Sequence, residues 1–160
     1  MADVTVRRAT VEDAEAIGEL TATAYRVHVE GDYLDELRDA ASRIRDGEVL
    51  VALIGEQVVG AVTLAVPGGP YSEISRDDEL EVRMLAVAEP ARGQGIAARL
   101  MDAAEARARG GGFRGVVLST APTMHAAHRL YERRGYDRDQ ERDWAPEDDL
   151  RLLVYRLDLS

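Results

Sequence analysis

Two glycines near the middle of the chain have the clearest capacity for ligand chemistry. Gly93 and Gly95 separate an apolar segment that ends at Val87 from a segment, starting at Ile96, whose apolar residues recur at helical spacing. The first amide groups of such a helix have no intrahelical acceptor, and the helix dipole adds positive charge there. Because glycine has no Cβ, a ligand can approach this backbone closely. The sequence therefore predicts a binding site for an anionic phosphate group at the start of this helix.

The same residues also match a second motif. Gly93-x-Gly95-x-x-Ala98 fits the dinucleotide fingerprint G-x-G-x-x-G/A. That fingerprint usually opens its domain and is followed about 20 residues later by an acidic residue, whereas residues 118–120 are Leu, Ser and Thr. A P-loop is excluded because the chain contains no Lys to contact phosphates. A strand-to-helix turn without a ligand is the remaining alternative from these residues alone.

The composition limits the classes of protein and partner. A chain of 160 residues, 46% of them hydrophobic, predicts one globular domain spanning residues 1–160. Its formal net charge of −10 disfavours nucleic acid and anionic membrane surfaces as partners. We see neither a membrane-spanning apolar run nor a signal peptide, so we expect a cytoplasmic protein. The absence of cysteine excludes disulfides, thiolate metal sites and a cysteine nucleophile, and we predict no metal site.

The hydrophobic patterns predict a mixed α/β fold of about seven strands and about four helices. The predicted strands cover residues 4–6, 49–54, 58–66, 80–87 and 116–119, a strand that begins at Tyr136, and residues 150–157. The predicted helices run from Thr10 or Asp13 to Val29 and over residues 33–45, 95–109 and 122–134. The strand–helix–strand unit in the middle requires at least one parallel pair of strands, so the predicted sheet is mixed.

Three segments, in order along the chain, are similar to motifs of the GCN5-related N-acetyltransferase (GNAT) superfamily. The first, Leu85-Ala86-Val87 with Pro90, is similar to the strand before the family's acyl-CoA loop. The second, Arg92-x-x-Gly95-x-Ala97, is similar to the Q/R-x-x-G-x-G/A loop itself. The third, Ala127-x-x-Leu130-Tyr131-x-x-x-Gly135-Tyr136, is similar to a later helix–strand signature. The resemblance implies a single-domain GNAT-like mixed sheet flanked by helices, in which the fourth and fifth strands splay apart.

The same resemblance implies acetyl-CoA as the cosubstrate. Loop amides would hold its pyrophosphate, and its pantetheine arm would pair with the fourth strand, where the Leu85 N–H would face the acetyl carbonyl as an oxyanion-type donor. The residues implied in binding are Leu85, Ala86, Val87, Arg92, Gly93, Gln94, Gly95, Ile96 and Ala97. Met124 stands where the family often has an Asn, which removes one polar contact.

Two catalytic roles also follow from the resemblance. Tyr131 lies where the family carries a tyrosine that protonates the leaving thiolate, and a pKa of about 10 keeps such a group protonated at neutral pH. Glu81 lies where the histone-acetyltransferase branch carries its general base, with Glu79 as a rival. An acceptor amine of pKa about 10 arrives as ammonium and must lose a proton before it attacks. Strand alternation would put residues 81, 83, 85 and 87 on one face unless a bulge intervenes.

These residues predict an enzyme that transfers an acetyl group from acetyl-CoA to a primary amine. Because the chain has no cysteine, direct attack of the amine in a ternary complex is the simplest route. The alternatives are a non-catalytic acyl-CoA-binding sensor or regulatory domain and a dinucleotide-binding oxidoreductase. A homodimer is compatible with the family.

Charged residues fall into two groups with different predicted roles. The arginines expected near the phosphates are Arg92, Arg99, Arg129, Arg133 and Arg134. The acidic residues expected near the acceptor are Glu30, Asp32, Asp35, Glu36, Asp137, Asp139, Glu141, Asp143, Glu147, Asp148 and Asp149. An acidic wall would attract a cationic amine, to which Tyr33 and Trp144 could add aromatic contacts. An ordinary solvated surface is the alternative interpretation.

Overall fold

A sheet of eight strands organises the part of the chain that the computed structural model describes, residues 3–147 and 150–160. The strands are β1 (Val4–Arg8), β2 (Glu48–Ile54), β3 (Gln57–Ala65), β4 (Glu79–Val87), β5 (Gly115–Thr120), β6 (Asp137–Arg138), β7 (Trp144–Glu147) and β8 (Leu150–Asp158). The helices are α1 (Ala14–Tyr25), α2 (Asp32–Arg38), α3 (Ala40–Asp46), α4 (Ile96–Gly110) and α5 (His125–Arg133). The predicted mixed α/β fold is confirmed.

The strands follow the order β1-β2-β3-β4-β5-β8-β6 across the sheet, and β7 pairs with β8. Neighbouring strands from β1 to β4 are antiparallel. β4 and β5 are parallel because α4 carries the chain back across the sheet between them. The parallel pair predicted from the strand–helix–strand unit is therefore β4–β5.

Helix α4 covers the centre of the sheet. Its apolar residues recur every three or four positions, so one face is buried against β3, β4 and β5 in the main core. Gly60 on β3 permits this close approach, since a Cβ there would lie 3.0 Å from Ile96 Cγ2 and 3.1 Å from Leu100 Cδ1. The start of α4 is thus held firmly against the sheet. Within the described ranges, we find no helix that is long and apolar enough to cross a membrane.

The predicted helix over residues 33–45 is two helices in the structure. Asp39 has a non-helical backbone (φ −82°, ψ 64°) between α2 and α3. Its carboxylate accepts the Ser42 N–H at 3.2 Å and the Ser42 hydroxyl at 2.7 Å, which caps the start of α3. Aspartate favours such caps over helix interiors, and this local preference divides the amphipathic pattern. Helix α1 also ends earlier than predicted, at Tyr25 rather than Val29.

Strand β7 was not predicted. The segment from Trp144 to Glu147 lies in an acidic stretch and contains Pro146, so its own sequence favours a loop. It forms a strand because it pairs antiparallel with β8, with Trp144 opposite Leu152. A tertiary contact therefore overrides local preference here.

β4 and β5 separate part of the way along their length. They pair only from Glu79 to Val82 of β4, opposite residues 115–118. Residues 83–87 continue to pair with β3 on one side but not with β5 on the other. We call the position just after Val82 the splay point. The predicted splay of the fourth and fifth strands is confirmed.

A β-bulge lies just beyond the splay point. The β3–β4 register shifts between the pairs Thr63–Arg83 and Ala61–Ala86, and Met84 has a positive φ of 57°. A bulge reverses which side chains face each side of a sheet. Leu85 and Val87 accordingly pack against the same core as Leu80 and Val82. The expected shared face of Glu81, Leu85 and Val87 held only without a bulge, and this bulge places Leu85 and Val87 on the face opposite to Glu81.

Candidate active site

A cleft of about 590 Å³ lies where β4 and β5 have separated. Four elements line it: the end of α1, the last residues of β4, the loop before α4, and the start of α5. Of the nine predicted binding residues, the lining includes Leu85, Ala86, Val87, Arg92, Gly93, Gly95, Ile96 and Ala97. Gln94 is exposed and is not among the described lining residues. The cleft is therefore the candidate active site.

The loop of residues 92–95, called the glycine loop below, has the backbone that a phosphate site requires. Gly93 and Gly95 have φ values of 81° and 78°, which residues with side chains rarely adopt. A Cβ on either would meet no atom within 4 Å, so open space lies beside both. The first helical hydrogen bond of α4 runs from Arg99 N–H to the Gly95 carbonyl at 3.1 Å. The amides of residues 96–98 consequently have no intrahelical acceptor.

The edge of β4 forms one wall of the cleft. The Tyr25 hydroxyl, from the last residue of α1, donates a 3.1 Å hydrogen bond to the Leu85 carbonyl. Burial raises the pKa of Tyr25, so the phenol keeps its proton and remains a donor. Sequence reasoning missed Tyr25, because α1 shows a helical pattern but no signal that its end reaches β4, 60 residues away in the chain.

A side-chain contact crosses from α1 to α5 beside the cleft. His28 Nδ1 lies 2.7 Å from the Thr123 hydroxyl, and both residues line the cleft together with Met124. This contact joins the wall formed by the end of α1 to the wall formed by the start of α5. His28 was also missed by sequence reasoning, since it becomes part of the site only through this long-range contact.

The predicted phosphate arginines separate into two groups. Arg92 and Arg133 line the cleft. Arg134 instead joins α5 to α4 through bonds to Glu105 at 2.9 Å and to Asp102 at 2.6 Å. The Tyr136 hydroxyl donates to the same Glu105 carboxylate at 3.0 Å. Arg134 therefore has an internal role in fixing α5 rather than the predicted one near phosphates.

Tyr131, the predicted acid, lies in an aromatic cluster at the end of α5. Its ring centroid is 5.7 Å from that of Tyr136 and 6.0 Å from that of Tyr155. The residue is 5% exposed, and burial raises its pKa, so the hydroxyl is protonated at neutral pH. Tyr131 is not itself among the described residues that line the cleft, although the preceding residue, Leu130, is.

Glu81, the predicted base, is buried and engaged. Its Oε1 atom accepts the backbone N–H groups of Glu73, Ile74 and Ser75 at 2.8, 3.0 and 3.1 Å. Its Oε2 atom makes no hydrogen bond within the described residues. The side chain thus connects β4 to the segment before it, and Glu81 is not among the described residues that line the cleft.

Glu79, the rival base, is the centre of an ion-pair network. Arg142 donates to both of its carboxylate oxygens at 2.8 and 2.9 Å, and Arg156 donates at 2.7 Å. Burial alone would raise the pKa of Glu79, but the hydrogen bonds from Arg142, Arg76 N–H and Arg156 outweigh it and lower the pKa to about 2. A carboxylate of such low pKa is a poor proton acceptor at neutral pH.

Arg83, the first residue of β4 beyond the splay point, forms ion pairs with two glutamates there. Its Nη2 atom lies 2.8 Å from Glu73 Oε1 and 3.8 Å from Glu36 Oε1 on α2. Its Nη1 atom donates to the Tyr71 carbonyl at 3.1 Å. Tyr33, predicted near the acceptor, also lies here, and burial raises its pKa. Sequence reasoning had assigned no role to Glu73.

The predicted acidic wall is partly paired internally. Asp143 is bound by Arg138 at 2.8 and 2.9 Å and by the Val154 N–H at 2.9 Å. Asp35 lies 3.7 Å from Arg38, and Asp139 lies 3.8 Å from Arg142. Asp148 and Asp149 lie outside the described residues. Among residues 3–147 and 150–160, no group of three metal-ligating side chains is assembled.

Residues 14–136, which include the cleft, the glycine loop and Tyr131, match the family model described as Acetyltransferase (GNAT) family. No curated protein matches the chain in sequence. That family match agrees with the order of the elements and with the splayed strands.

Solved structures share the fold. The yncA protein of Salmonella typhimurium, solved with its cofactor acetyl-CoA, has a TM-score of 0.75 at 20% identity, over 98% of this chain and 94% of that chain. A GNAT acetyltransferase of Staphylococcus aureus Mu50 has a TM-score of 0.78 at 15% identity, over 99% and 100%. The ribosomal-protein-alanine N-acetyltransferase of Brucella melitensis has a TM-score of 0.73 at 23% identity, over 97% and 99%. With the family model matched over residues 14–136, the chain belongs to the GNAT family of acetyltransferases.

Proposed function

We propose that the protein transfers an acetyl group from acetyl-CoA to a primary amine in a ternary complex. The proposal rests on the path of the cleft, which runs from the glycine loop with its free helix amides along the edge of β4 that β5 leaves unpaired. Acetyl-CoA is the cosubstrate of the GNAT family, and yncA was solved with it.

The residues of the cleft fit this cosubstrate. The amides of residues 96–98 suit a diphosphate because they are donors at the positive end of a helix dipole, and Arg92 adds a guanidinium. The unpaired edge at residues 83–87 is about 16 Å long at about 3.3 Å per residue, and it offers backbone groups to the amides of a pantetheine arm. When bound, acetyl-CoA supplies the thioester from which the acetyl group is transferred.

Three groups of the chain would act on the reaction. The Leu85 N–H would donate to the acetyl oxygen, where negative charge develops. Tyr131 would give its proton to the leaving sulfur, and its raised pKa ensures that it carries that proton beforehand. The third group is the carboxylate that takes the proton of the ammonium. The sequence predicts Glu81 for it, but Glu81 is only 1% exposed and is not among the described residues that line the cleft, so this role is open to another carboxylate.

The acceptor proposed is a cationic amine. The chain carries a net charge of −10, and two carboxylates at the splay point face solvent, Glu36 with 48% and Glu73 with 37% of the side chain exposed. Long-range attraction of this kind weakens as salt screens it, so the acceptor KM should rise with ionic strength. The homodimer and the assignment of residues 1–160 to one domain stay predictions.

Thiol release from acetyl-CoA in the presence of a panel of primary amines tests the function. We expect release that depends on both the enzyme and the amine, with an acetylated amine as the second product. Tight acetyl-CoA binding with no product across the panel would favour the sensor instead. Thermal stabilisation by NAD but not by CoA would favour the oxidoreductase, since only a ligand that binds the folded state raises the melting temperature.

A further inference from the structure

Two buried carboxylates fix the segment that leads into β4. Residues 73–76, called the anchored segment below, present four successive backbone N–H groups to these carboxylates. Glu81 Oε1 accepts the first three at 2.8, 3.0 and 3.1 Å, and Glu79 Oε1 accepts the fourth at 2.9 Å. Arg142 Nη2 adds a 2.7 Å bond to the Ile74 carbonyl. Because both glutamates are only 1% exposed, charge-assisted bonds hold this segment away from competing water.

The anchored segment brings the Glu73 side chain to the splay point. Its carboxylate meets Arg83, whose own side chain is 9% exposed and is further fixed by the Tyr71 carbonyl. The Glu73 side chain is 37% exposed and, like Glu81, is not among the described residues that line the cleft. It is therefore held in place on one side and open to a dissolved molecule on the other, whereas Glu79 and Glu81 are closed to solvent.

We infer that Glu73 is the carboxylate that receives the ammonium group of the acceptor and takes its proton, and that Glu79 and Glu81 are positioning residues that hold Glu73 at the splay point. In this assignment, which rests on the proposed acetyl transfer, the ammonium passes one proton to Glu73 and from there to solvent. The neutral amine then attacks the acetyl carbon, and the C–S bond breaks. The nitrogen loses its second proton to water, and the Tyr131 phenolate left after protonation of the sulfur regains a proton from water. The net products are the acetylated amine, the CoA thiol and one proton in solution.

The surroundings of Glu73 suit a proton acceptor better than those of the other two glutamates. Burial raises the pKa of Glu73 and Arg83 lowers it, while Glu81 and Glu36 raise it, and the result is a pKa above the usual value. A carboxylate with a raised pKa accepts a proton more readily near neutral pH. Arg142 and Arg156 have the opposite effect on Glu79, and three N–H donors already occupy one oxygen of Glu81.

The decisive variant is Glu73→Gln, with Glu56→Gln in the exposed β2–β3 turn as the matched control. kcat/KM for a primary amine is measured by thiol release from about neutral pH up to the pKa of the amine, about 10. We expect Glu73→Gln to lower it about 100-fold at neutral pH, because the ammonium has lost its proton acceptor. The deficit should shrink as pH rises and the amine loses its proton unaided. A deficit that does not change with pH, or no deficit, would overturn the assignment.

Two substitutions of Glu81 separate positioning from proton transfer. The amide oxygen of Glu81→Gln can still accept the three N–H groups, whereas Glu81→Ala removes the acceptor. We expect Glu81→Gln to keep kcat within about fivefold and the wild-type pH profile, and Glu81→Ala to raise the acceptor KM about tenfold. Amide hydrogen exchange at residues 73–75 should be faster in Glu81→Ala than in Glu81→Gln. If Glu81→Gln instead reproduced the pH-dependent deficit expected of Glu73→Gln, Glu81 would be the base and the inference would fail.

Failure of the inference and failure of the proposed function give different results. A wild-type protein that releases no thiol with any amine contradicts the acetyl transfer, and hydrogen exchange then still tests whether Glu81 anchors residues 73–75. An active wild type with an equally active Glu73→Gln variant contradicts only the role of Glu73.

Discussion

The two ends of β4 are built from different parts of the chain. At the C-terminal end, residues 85–87 and the glycine loop face a cleft with backbone groups and mostly small or apolar side chains. At the N-terminal end, charged side chains make the contacts: Glu81 binds the segment just before the strand, whereas Glu79 and Arg83 bind residues that are distant in sequence. A bulge at Met84 separates the two. The chain therefore uses backbone geometry at one end and charge at the other.

This difference agrees with the two substrates proposed. Acetyl-CoA is the part of the reaction that GNAT enzymes share, and a backbone site binds it with few demands on side-chain identity. The acceptor differs among enzymes, and the proposed acceptor end is built from side chains on α2, the anchored segment and β4. The cosubstrate end should consequently be sensitive to backbone conformation, and the acceptor end to the loss of single charges.

Gly95→Val should disrupt the cosubstrate end most strongly. Valine strongly disfavours the φ of 78° found here, and its side chain would fill the open space beside the loop. Loss of two hydrogen bonds to a charged group, at about 1.5–3 kcal/mol each, predicts acetyl-CoA binding weaker by about 1,000-fold. Calorimetric titration with acetyl-CoA measures this.

Gly55→Val is the control for backbone strain. Gly55 has a φ of 61°, and a Cβ there would likewise meet no atom within 4 Å, but it lies in the β2–β3 turn outside the cleft. The variant should lose comparable stability and keep its affinity for acetyl-CoA. An equal loss of affinity in both variants would show that strain, rather than the loop's contact with a ligand, is responsible.

Glu79→Gln should lower the free energy of unfolding of the protein by removing the charged centre of the acceptor end. The folded pKa of Glu79 is about 2, compared with 4.5 for an ordinary glutamate. Because the folded pKa is depressed, the stabilisation is fully present above pH 4.5 and is lost as pH falls toward 2. At about 1.4 kcal/mol per pKa unit, it amounts to about 3 kcal/mol. Urea unfolding at neutral pH should show a loss of about this size in Glu79→Gln.

The pH dependence distinguishes charge from packing. Near pH 2 the wild-type carboxylate is itself losing its charge, so the difference between wild type and Glu79→Gln should shrink there. A constant difference at every pH would mean that the Arg142 and Arg156 ion pairs are not its source. Asp35→Asn, which removes a pair whose carboxylate is 80% exposed, should change stability little at any pH.

Tyr131→Phe tests the residue proposed to protonate the leaving sulfur of acetyl-CoA at the end of the acyl transfer. Removal of the proposed proton donor should lower kcat by about 100-fold and leave the acetyl-CoA affinity within about twofold. Tyr155→Phe is the control, since its ring lies 6.0 Å from that of Tyr131 and its hydroxyl donates to Glu132 instead. Thiol release and calorimetry measure the two quantities. Unchanged turnover in Tyr131→Phe would remove Tyr131 from the acid role.

The cosubstrate end is also the part that could be predicted from the sequence. Gly93 and Gly95 directly precede the helix whose first amides are proposed to bind the ligand. One short stretch of sequence therefore specifies both the conformation of the loop and the position of these amides. The parallel β4–β5 pair follows in the same way, because a strand–helix–strand unit leaves few alternatives. Such features depend on residues that are neighbours in the chain.

The acceptor end depends on contacts that no local pattern reveals. Arg142 reaches Glu79 across 63 residues and Arg156 across 77. The bulge at Met84 could not be placed from hydrophobic alternation, and it reverses the faces of Leu85 and Val87. Strand β7 likewise exists only because β8 pairs with it. These are tertiary effects, and they decide which glutamates are buried and which are open to solvent.

Arg92→Gln should have the smallest effect of these variants, and that effect is on the affinity for acetyl-CoA. If backbone amides supply most of the binding free energy for acetyl-CoA, loss of the exposed Arg92 side chain should weaken binding only about threefold at low salt. That difference should disappear at about 1 M salt, where the Debye length is about 3 Å. Arg109→Gln removes the same charge near the far end of α4, about 20 Å away at about 1.5 Å per residue, and should leave the affinity unchanged. If Arg92→Gln weakened binding as much as Gly95→Val, side-chain charge would dominate both ends of β4, and the contrast between them would not hold.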